Sequence, residues 1–382
     1  MVGRRAAASP AGSGRGTAWL LLALFATGTS ASPPVGNPPP AEDPVALHER
    51  LRQRVEELLA PNAKKGVYVG SEGWLFLRTE IQGAAGLSPC PPPGEGEMGG
   101  EPERTAGEPT DAPAAIDAID AIDDFAQQLR RRGIPLLFVL IPPKFDIYPD
   151  RLFADFDPLA LDLGEGQRRF LAELERRRIP VLDLAPLFRA ERARSTEPLY
   201  GAQDTHWTSY AARLAARAIA ARLRAMGLAS GPGMSLAEEA TTAEYCGDLR
   251  EKVKAQRPPC SPLTLHSLRA PGGGQLAGTV ARESPFRLLG DSSSVIYHES
   301  SRAGLVDHLA HEMGQPIDLL AVMAGGANGA REALARRGEG PGSLGGKQVA
   351  VRVVSGRLVY ECSPWKKVAL AGETSAAGTA NR

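Results

Sequence analysis

Charge of either sign is not in excess in this chain: Lys plus Arg and Asp plus Glu number 44 each. No net field therefore draws it to nucleic acid or to an acidic surface. Cysteine is scarce, and its four residues include no Cys-x-x-Cys and have no close histidines, which removes the common zinc frameworks. His-Glu-x-x-His is also missing. His308 and His311 with Glu312 have a chelating spacing, but without a third ligand they read as a solvated helix face. Neither a metal nor another cofactor is expected.

Long apolar runs are lacking too. Trp19 to Ala26 is too short to span a bilayer comfortably. It follows Arg4, Arg5 and Arg15 and precedes Thr29-Ser30-Ala31 and a proline-rich stretch. That is the layout of a secretory signal peptide over residues 1–31, with export to the periplasm expected and an uncleaved anchor as the alternative. No cysteine adjoins the cleavage point, so a lipid anchor is not expected. In an exported chain the even set Cys90, Cys246, Cys260 and Cys362 suits up to two disulfides. Cys246–Cys260 would close a local loop, and Cys90–Cys246 would tie an insertion to the region before Gly290; the sequence leaves both open.

What is present is a core large enough for one catalytic domain, over 61–370, with decorations. A tether and entry helix cover 32–60, the helix carrying Val45, Leu47, Leu51, Val55 and Leu58 at helical spacing, and 371–382 reads as a frayed tail. Val67 to Leu77 predicts a hairpin turned by Ser71-Glu72-Gly73. From 84 to 113 the composition shifts to Gly, Pro and Glu, too poor in large apolar residues to order itself, so a flexible insertion is predicted. Ile116, Ile119, Ile122, Phe125 and Leu129 predict an amphipathic helix. Leu136–Ile141 and Val181–Leu184 predict strands, with a helix between them ending in the arginine run 176–178. Gln348–Val354 and Arg357–Glu361 predict a second hairpin about Ser355-Gly356. Strand alternating with helix predicts an α/β fold with a mainly parallel sheet covered on both faces.

Two short motifs carry the chemistry. Asp204-Thr205-His206 precedes an Ala-, Arg- and Leu-rich helix over 211–226, and Gly290-Asp291-Ser292 follows the apolar run Phe286–Leu289. Together they hold every member of a Ser-His-Asp set. A serine hydroxyl needs a base to take its proton, and an imidazole serves best when a carboxylate fixes its tautomer. A third stretch, strand Ile317–Val322 followed by Gly325 to Gly329, offers the Asn328 amide as an oxyanion donor. Lys144, Tyr148 and Trp207 are candidates for lining a glycan site, since aromatic faces stack on sugars. His298, close to Ser292 in sequence, is a rival base that brings no carboxylate in its own motif.

The chain resembles the SGNH hydrolase-like proteins of the periplasmic alginate O-acetyltransferase type, in which Asp-x-His precedes the Gly-Asp-Ser nucleophile. The resemblance runs from Gly70-Ser71-Glu72-Gly73-Trp74-Leu75-Phe76-Leu77 through Ile141-Pro142-Pro143-Lys144 and Tyr200–Trp207 to Trp365. It implies a three-layer α/β/α, flavodoxin-like fold, Ser292 as nucleophile, His206 as base, Asp204 as its orienting carboxylate and Asn328 as the SGNH asparagine. It further implies O-acetylation of an exported polysaccharide with acetyl groups handed over by a membrane-bound donor protein. An SGNH acetylesterase, a non-catalytic polysaccharide-binding scaffold and a metal-dependent hydrolase are the alternatives.

Overall fold

The computed structural model describes residues 43–61, 65–87, 118–254, 257–271, 278–338, 343–360 and 365–372. The expected signal peptide, most of the insertion, Cys90, Cys362 and most of the tail lie outside them.

Helix α1 (Pro44–Leu59) starts at Asp43, whose carboxylate accepts from Val45 N at 3.2 Å, and buries Leu47, Leu51, Val55 and Leu59 on one stripe. Strands β1 (Val67–Val69) and β2 (Leu75–Leu77) form the expected hairpin, antiparallel about a turn at Ser71–Gly73. Helix α2 (Arg78–Ala84) and helix α3 (Ala118–Arg130) follow. Strand β3 (Leu136–Ile141), the short α4 (Lys144–Ile147), α5 (Glu165–Arg176), β4 (Val181–Asp183) and α6 (Ala185–Arg194) alternate as the apolar periodicity predicts. Then come α7 (Ser209–Ala225), an antiparallel ribbon of β5 (Ala237–Tyr245) and β6 (Ser261–Arg269), and β7 (Phe286–Gly290). Three helices, α8 (Ser292–Val295), α9 (His298–Ser301) and α10 (Leu305–Met313), lead to β8 (Asp318–Ala321). Helix α11 (Gly329–Arg336), β9 (Val349–Ser355) and α12 (Arg357–Tyr360) complete the order.

The central sheet has five strands in the order β4-β3-β9-β7-β8, and every pairing is parallel. Strand β3 reads as an unbroken apolar run because both its faces are covered, and β7 and β9 depart from that pattern only at the buried Arg287 and Arg352 and at their ends. Leu137, Val139 and Ile141 of β3 join the core under α1, α7 and α10, whereas Leu136, Phe138 and Leu140 join the core under α3, α5 and α11. The last strand in sequence, β9, sits at the centre. This corrects the predicted second hairpin: Val349–Val354 are buried on both faces, and the segment after Gly356 is a helical turn, not a returning strand. Among the described residues no helix is long and apolar enough to cross a membrane.

In open parallel sheets ligands bind outside the carboxyl ends of the strands, where connections diverge to either side. Here β3 leads on to β4 at one edge and β7 to β8 at the other, with β9 between them. Lys144 follows β3, Ser292 follows β7, Asn328 follows β8 and Arg357 follows β9. All four thus stand at one end of the sheet.

Candidate active site

The Asp204 and Ser292 turns meet although 86 residues separate His206 from Ser292. The Ser292 hydroxyl donates to His206 Nε2 at 2.7 Å, and His206 Nδ1–H donates to Asp204 Oδ1 at 2.6 Å. The Asp-x-His turn closes on itself as well, since His206 N donates to the same Oδ1 at 2.8 Å. Helix α7 begins directly after it, with the Thr208 hydroxyl accepting from Ala211 N at 3.2 Å. One two-residue spacing thus gives Asp204 both a backbone donor and the imidazole.

The Gly-Asp-Ser turn depends on Gly290, where a Cβ would stand 1.9 Å from Ser294 Oγ. Asp291 explains its own place in the motif: its Oδ1 accepts from Ser293 N at 2.8 Å, capping α8 and fixing the turn that presents Ser292. Helix α8 ends after one turn, at Val295, and Tyr297 adopts φ 65°. Little helix dipole therefore stands behind Ser292.

Burial decides the electrostatics. Desolvation alone would raise the Asp204 carboxyl, but the hydrogen bonds and charge of His206 and the Tyr245 hydroxyl outweigh it and hold Asp204 below the carboxylate range. Desolvation likewise presses on His206, and the Asp204 carboxylate overrides it, raising the imidazole above its usual 6.5. This is the tuning a serine-activating base requires: an imidazolium that forms readily beside a carboxylate that stays charged.

The three expected glycan-lining residues lie elsewhere, a correction with a clear cause. Lys144 is buried and donates to the carbonyls of Gly201, Ala202 and Asp204 at 3.0, 3.0 and 2.8 Å. Trp207 is buried with its Nε1–H on Ser293 O at 3.0 Å, and the buried Tyr148 hydroxyl accepts from Leu199 N at 2.9 Å. Each side chain is committed to backbone groups of the Asp-x-His and Gly-Asp-Ser turns or their approach, so these residues brace the candidate site and do not line it. Asn328 stands at the start of α11, its Oδ1 accepting from Lys366 N at 2.9 Å. Its loop is tied to the Gly-Asp-Ser turn by Val322 N donating to Gly290 O at 3.2 Å, and to β9 by the buried Arg352, which donates to Ala327 O at 3.0 Å.

The rival base is engaged elsewhere: His298 Nδ1 lies 2.9 Å from Asp307 Oδ1. His308 is buried, with desolvation lowering its imidazole to about 4, so the solvated-face expectation fails there and holds only for His311. Sequence reasoning missed Tyr245 and Asp248. Tyr245 donates its hydroxyl to Asp204 Oδ2 at 2.5 Å. Asp248 accepts from Thr205 N and Oγ1 at 2.8 and 2.6 Å. Asp204, His206 and Asp248 are close enough for their ligand atoms to surround an ion. His206 Nδ1 is nevertheless spent on Asp204, and Asp248 on Thr205. Of the cysteine pairings left open, Cys246–Cys260 is formed.

A parallel α/β/α sandwich that brings an Asp-x-His turn and a Gly-Asp-Ser turn together at the carboxyl end of its sheet is an SGNH hydrolase-like architecture. The chain belongs to the family described as SGNH hydrolase-like domain, acetyltransferase AlgX, whose model matches residues 67–339. Among curated proteins it is 26% identical over 236 residues to a probable alginate O-acetylase AlgJ of Pseudomonas putida, covering 61% of this chain and 51% of that protein. It is 25% identical over 263 residues to the probable alginate O-acetylase AlgJ of Azotobacter vinelandii, covering 65% of this chain and 59% of that one. The chain thus spans little more than half the length of these relatives. Among solved structures, the O-acetyltransferase domain of Pseudomonas putida AlgJ shares the fold with a TM-score of 0.55 at 20% identity, over 77% of this chain and 92% of that domain. Pseudomonas aeruginosa AlgX does so with a TM-score of 0.51 at 16% identity, over 76% and 62% of the two chains.

Proposed function

We propose that this protein is a serine O-acetyltransferase that acetylates hydroxyl groups of an exported, alginate-like polysaccharide. The observation that carries the reading is the continuous relay of 2.6 and 2.7 Å from Asp204 through His206 to Ser292. Membership of the AlgX-type family and likeness to proteins named alginate O-acetylases support the reaction class and the acceptor. A periplasmic setting with a membrane-bound acetyl donor protein as partner completes the proposal.

In the proposed reaction His206 Nε2 takes the Ser292 proton as Oγ attacks the acetyl carbonyl. The tetrahedral oxyanion is met by the Ser292 amide and the Asn328 side chain. It collapses as His206 returns the proton to the departing donor oxygen, leaving acetyl-Ser292. A sugar hydroxyl then gives its proton to His206 and attacks the acetyl carbon, and collapse of the second intermediate regenerates the Ser292 hydroxyl.

The test is direct. Brief incubation of the purified chain with a chromogenic acetyl ester, acid quench and peptide mass analysis is expected to place one acetyl group on the peptide holding Ser292, with or without a chelator. Acetyl absent from that peptide during turnover, or turnover abolished by chelator, overturns the reading. The pH profile is a second expectation. His206 acts unprotonated, and Asp204 raises its proton affinity. kcat/KM is therefore expected to fall on the acid side with a midpoint above that of a free histidine, about 6.5. A midpoint at or below that value contradicts the arrangement.

A further inference from the structure

Tyr245 closes β5, and Cys246 follows it directly; Cys260 stands immediately before β6, where Ser261 pairs with Tyr245. The disulfide therefore closes the ribbon at the point from which Tyr245 projects. The intervening loop folds back onto the Asp-x-His turn residue by residue. Leu249 N donates to Gln203 O at 3.0 Å, Asp248 takes both donors of Thr205, and the Gln203 side-chain amide donates to Pro259 O. Gly247 passes so close that a Cβ there would stand 2.2 Å from Gln203 O. Asp204 lies between Gln203 and Thr205, and it is the residue Tyr245 holds.

Asp204 has two carboxylate oxygens with different duties. Oδ1 is occupied by the His206 amide and ring, and Oδ2 by the Tyr245 hydroxyl. The Tyr245 ring also packs on Tyr297, centroids 6.1 Å apart, and Tyr297 lies just beyond the nucleophile helix with its hydroxyl donating to Trp207 O at 3.3 Å. One phenol thus touches the carboxylate of one catalytic turn and a ring of the segment bearing the other. Ribbon strand β5 is otherwise exposed along its length, and Tyr245 at its end is the residue that turns inward, against Leu263, Tyr297 and Ala303.

We infer that Tyr245 is a positioning residue for the acetyl-transfer site, locking the Asp204 carboxylate against His206, and that the Cys246–Cys260 disulfide is the brace that holds it there. The inference rests on the proposed role of Asp204 and His206. Its physical content is that a charge-assisted hydrogen bond fixes rotation of the carboxylate and shares its charge. With the phenol removed, Oδ2 carries more negative charge, the imidazolium is held more tightly, and rotation about the carboxylate is released. The other charged groups facing His206, Asp248 from the same loop and Arg357 from the start of α12, are unchanged by the substitution.

The experiment is Tyr245→Phe in the full chain, with the ester assay across the neutral pH range and proton NMR of the His206 Nδ1–H, assigned by its loss in His206→Gln. kcat/KM is expected to fall about tenfold, mainly in kcat, the size of one hydrogen bond to a charged group. The acid limb is expected to move to higher pH, and the Nδ1 resonance to shift. Cys246→Ser with Cys260→Ser is expected to move the limb and the resonance the same way with a smaller loss of rate. A uniform loss of activity with an unmoved limb and resonance, or no change at all, overturns the inference. Should Tyr245→Phe fail to fold, the double cysteine variant decides by the same two readouts. The resonance needs no turnover, so it judges the positioning role even if Ser292→Ala retains activity and the reaction proposal falls.

Discussion

Ser292→Ala is expected to lower acetyl transfer and ester cleavage by on the order of 10⁴-fold or more while leaving the protein folded. Gly290 and the Asp291 cap set the turn through backbone geometry and Ser293 N, so removing Oγ takes away the proposed attacking atom and little else. Asp204→Asn is expected to approach the same loss. Asp204 receives three donors, from His206 N, His206 Nδ1 and the Tyr245 hydroxyl. A carboxamide has one acceptor oxygen and no charge: turned one way its NH₂ meets the His206 donors and breaks the tautomer, turned the other it gives its NH₂ to the Tyr245 hydroxyl, and in both the imidazolium loses the carboxylate that stabilises it. Because the three groups act as a unit, the double variant is expected to be scarcely worse than either single one. Acetate release from a chromogenic ester, alongside transfer of labelled acetyl to an oligouronate, measures all three. Undiminished activity in Ser292→Ala would remove the nucleophile and the mechanism with it.

Where a residue's partners lie within its own motif, the sequence shows the local structure. Asp204, His206 and Ser292 stand in motifs whose spacing forces short turns, and the β3 run, Leu136–Ile141, is apolar throughout because both its faces are covered. Duties set by partners distant in sequence are hidden. Lys144, Tyr148 and Trp207 are residue types that suit a sugar, but their partners are main-chain groups from 51 to 86 residues away. The β5–β6 ribbon escaped detection for another reason. Ala237–Tyr245 is polar and almost wholly exposed, without the alternation that marks a half-buried strand, and its order comes from pairing with β6. Tyr245 and Asp248 were invisible with it. The predicted hairpin at Ser355-Gly356 failed because a glycine between two apolar runs suits a close approach as well as a turn. A Cβ at Gly356 would stand 2.8 Å from Ile141 O.

Lys144→Met is expected to lower kcat/KM by roughly 100-fold and stability by about 2 kcal/mol, with the larger effect on catalysis. The ammonium is buried with no carboxylate in hydrogen-bond contact; its partners are three carbonyls of the Asp-x-His loop and the faces of Trp74 and Phe76, at 5.4 and 5.2 Å. Gly201 O and Ala202 O keep other donors, Asp204 N at 3.2 Å and Leu75 N at 2.8 Å. Asp204 O depends on Lys144, so a methionine of similar length leaves that carbonyl without its ammonium and the loop free to shift. The charge also leaves a pH signature. Desolvation lowers Lys144 to about 8 from 10.5, against the pull of Glu80, Asp204 and Asp248. Between those two values the unfolded chain binds the extra proton, so this lysine's contribution to stability grows as pH rises through the window and is lost as pH falls through about 8. The stability difference between wild type and Lys144→Met, followed by urea unfolding, is therefore expected to widen from pH 8 to pH 10.5. A difference that is flat with pH, or a variant with full activity, would show that the loop keeps its place without the buried ammonium.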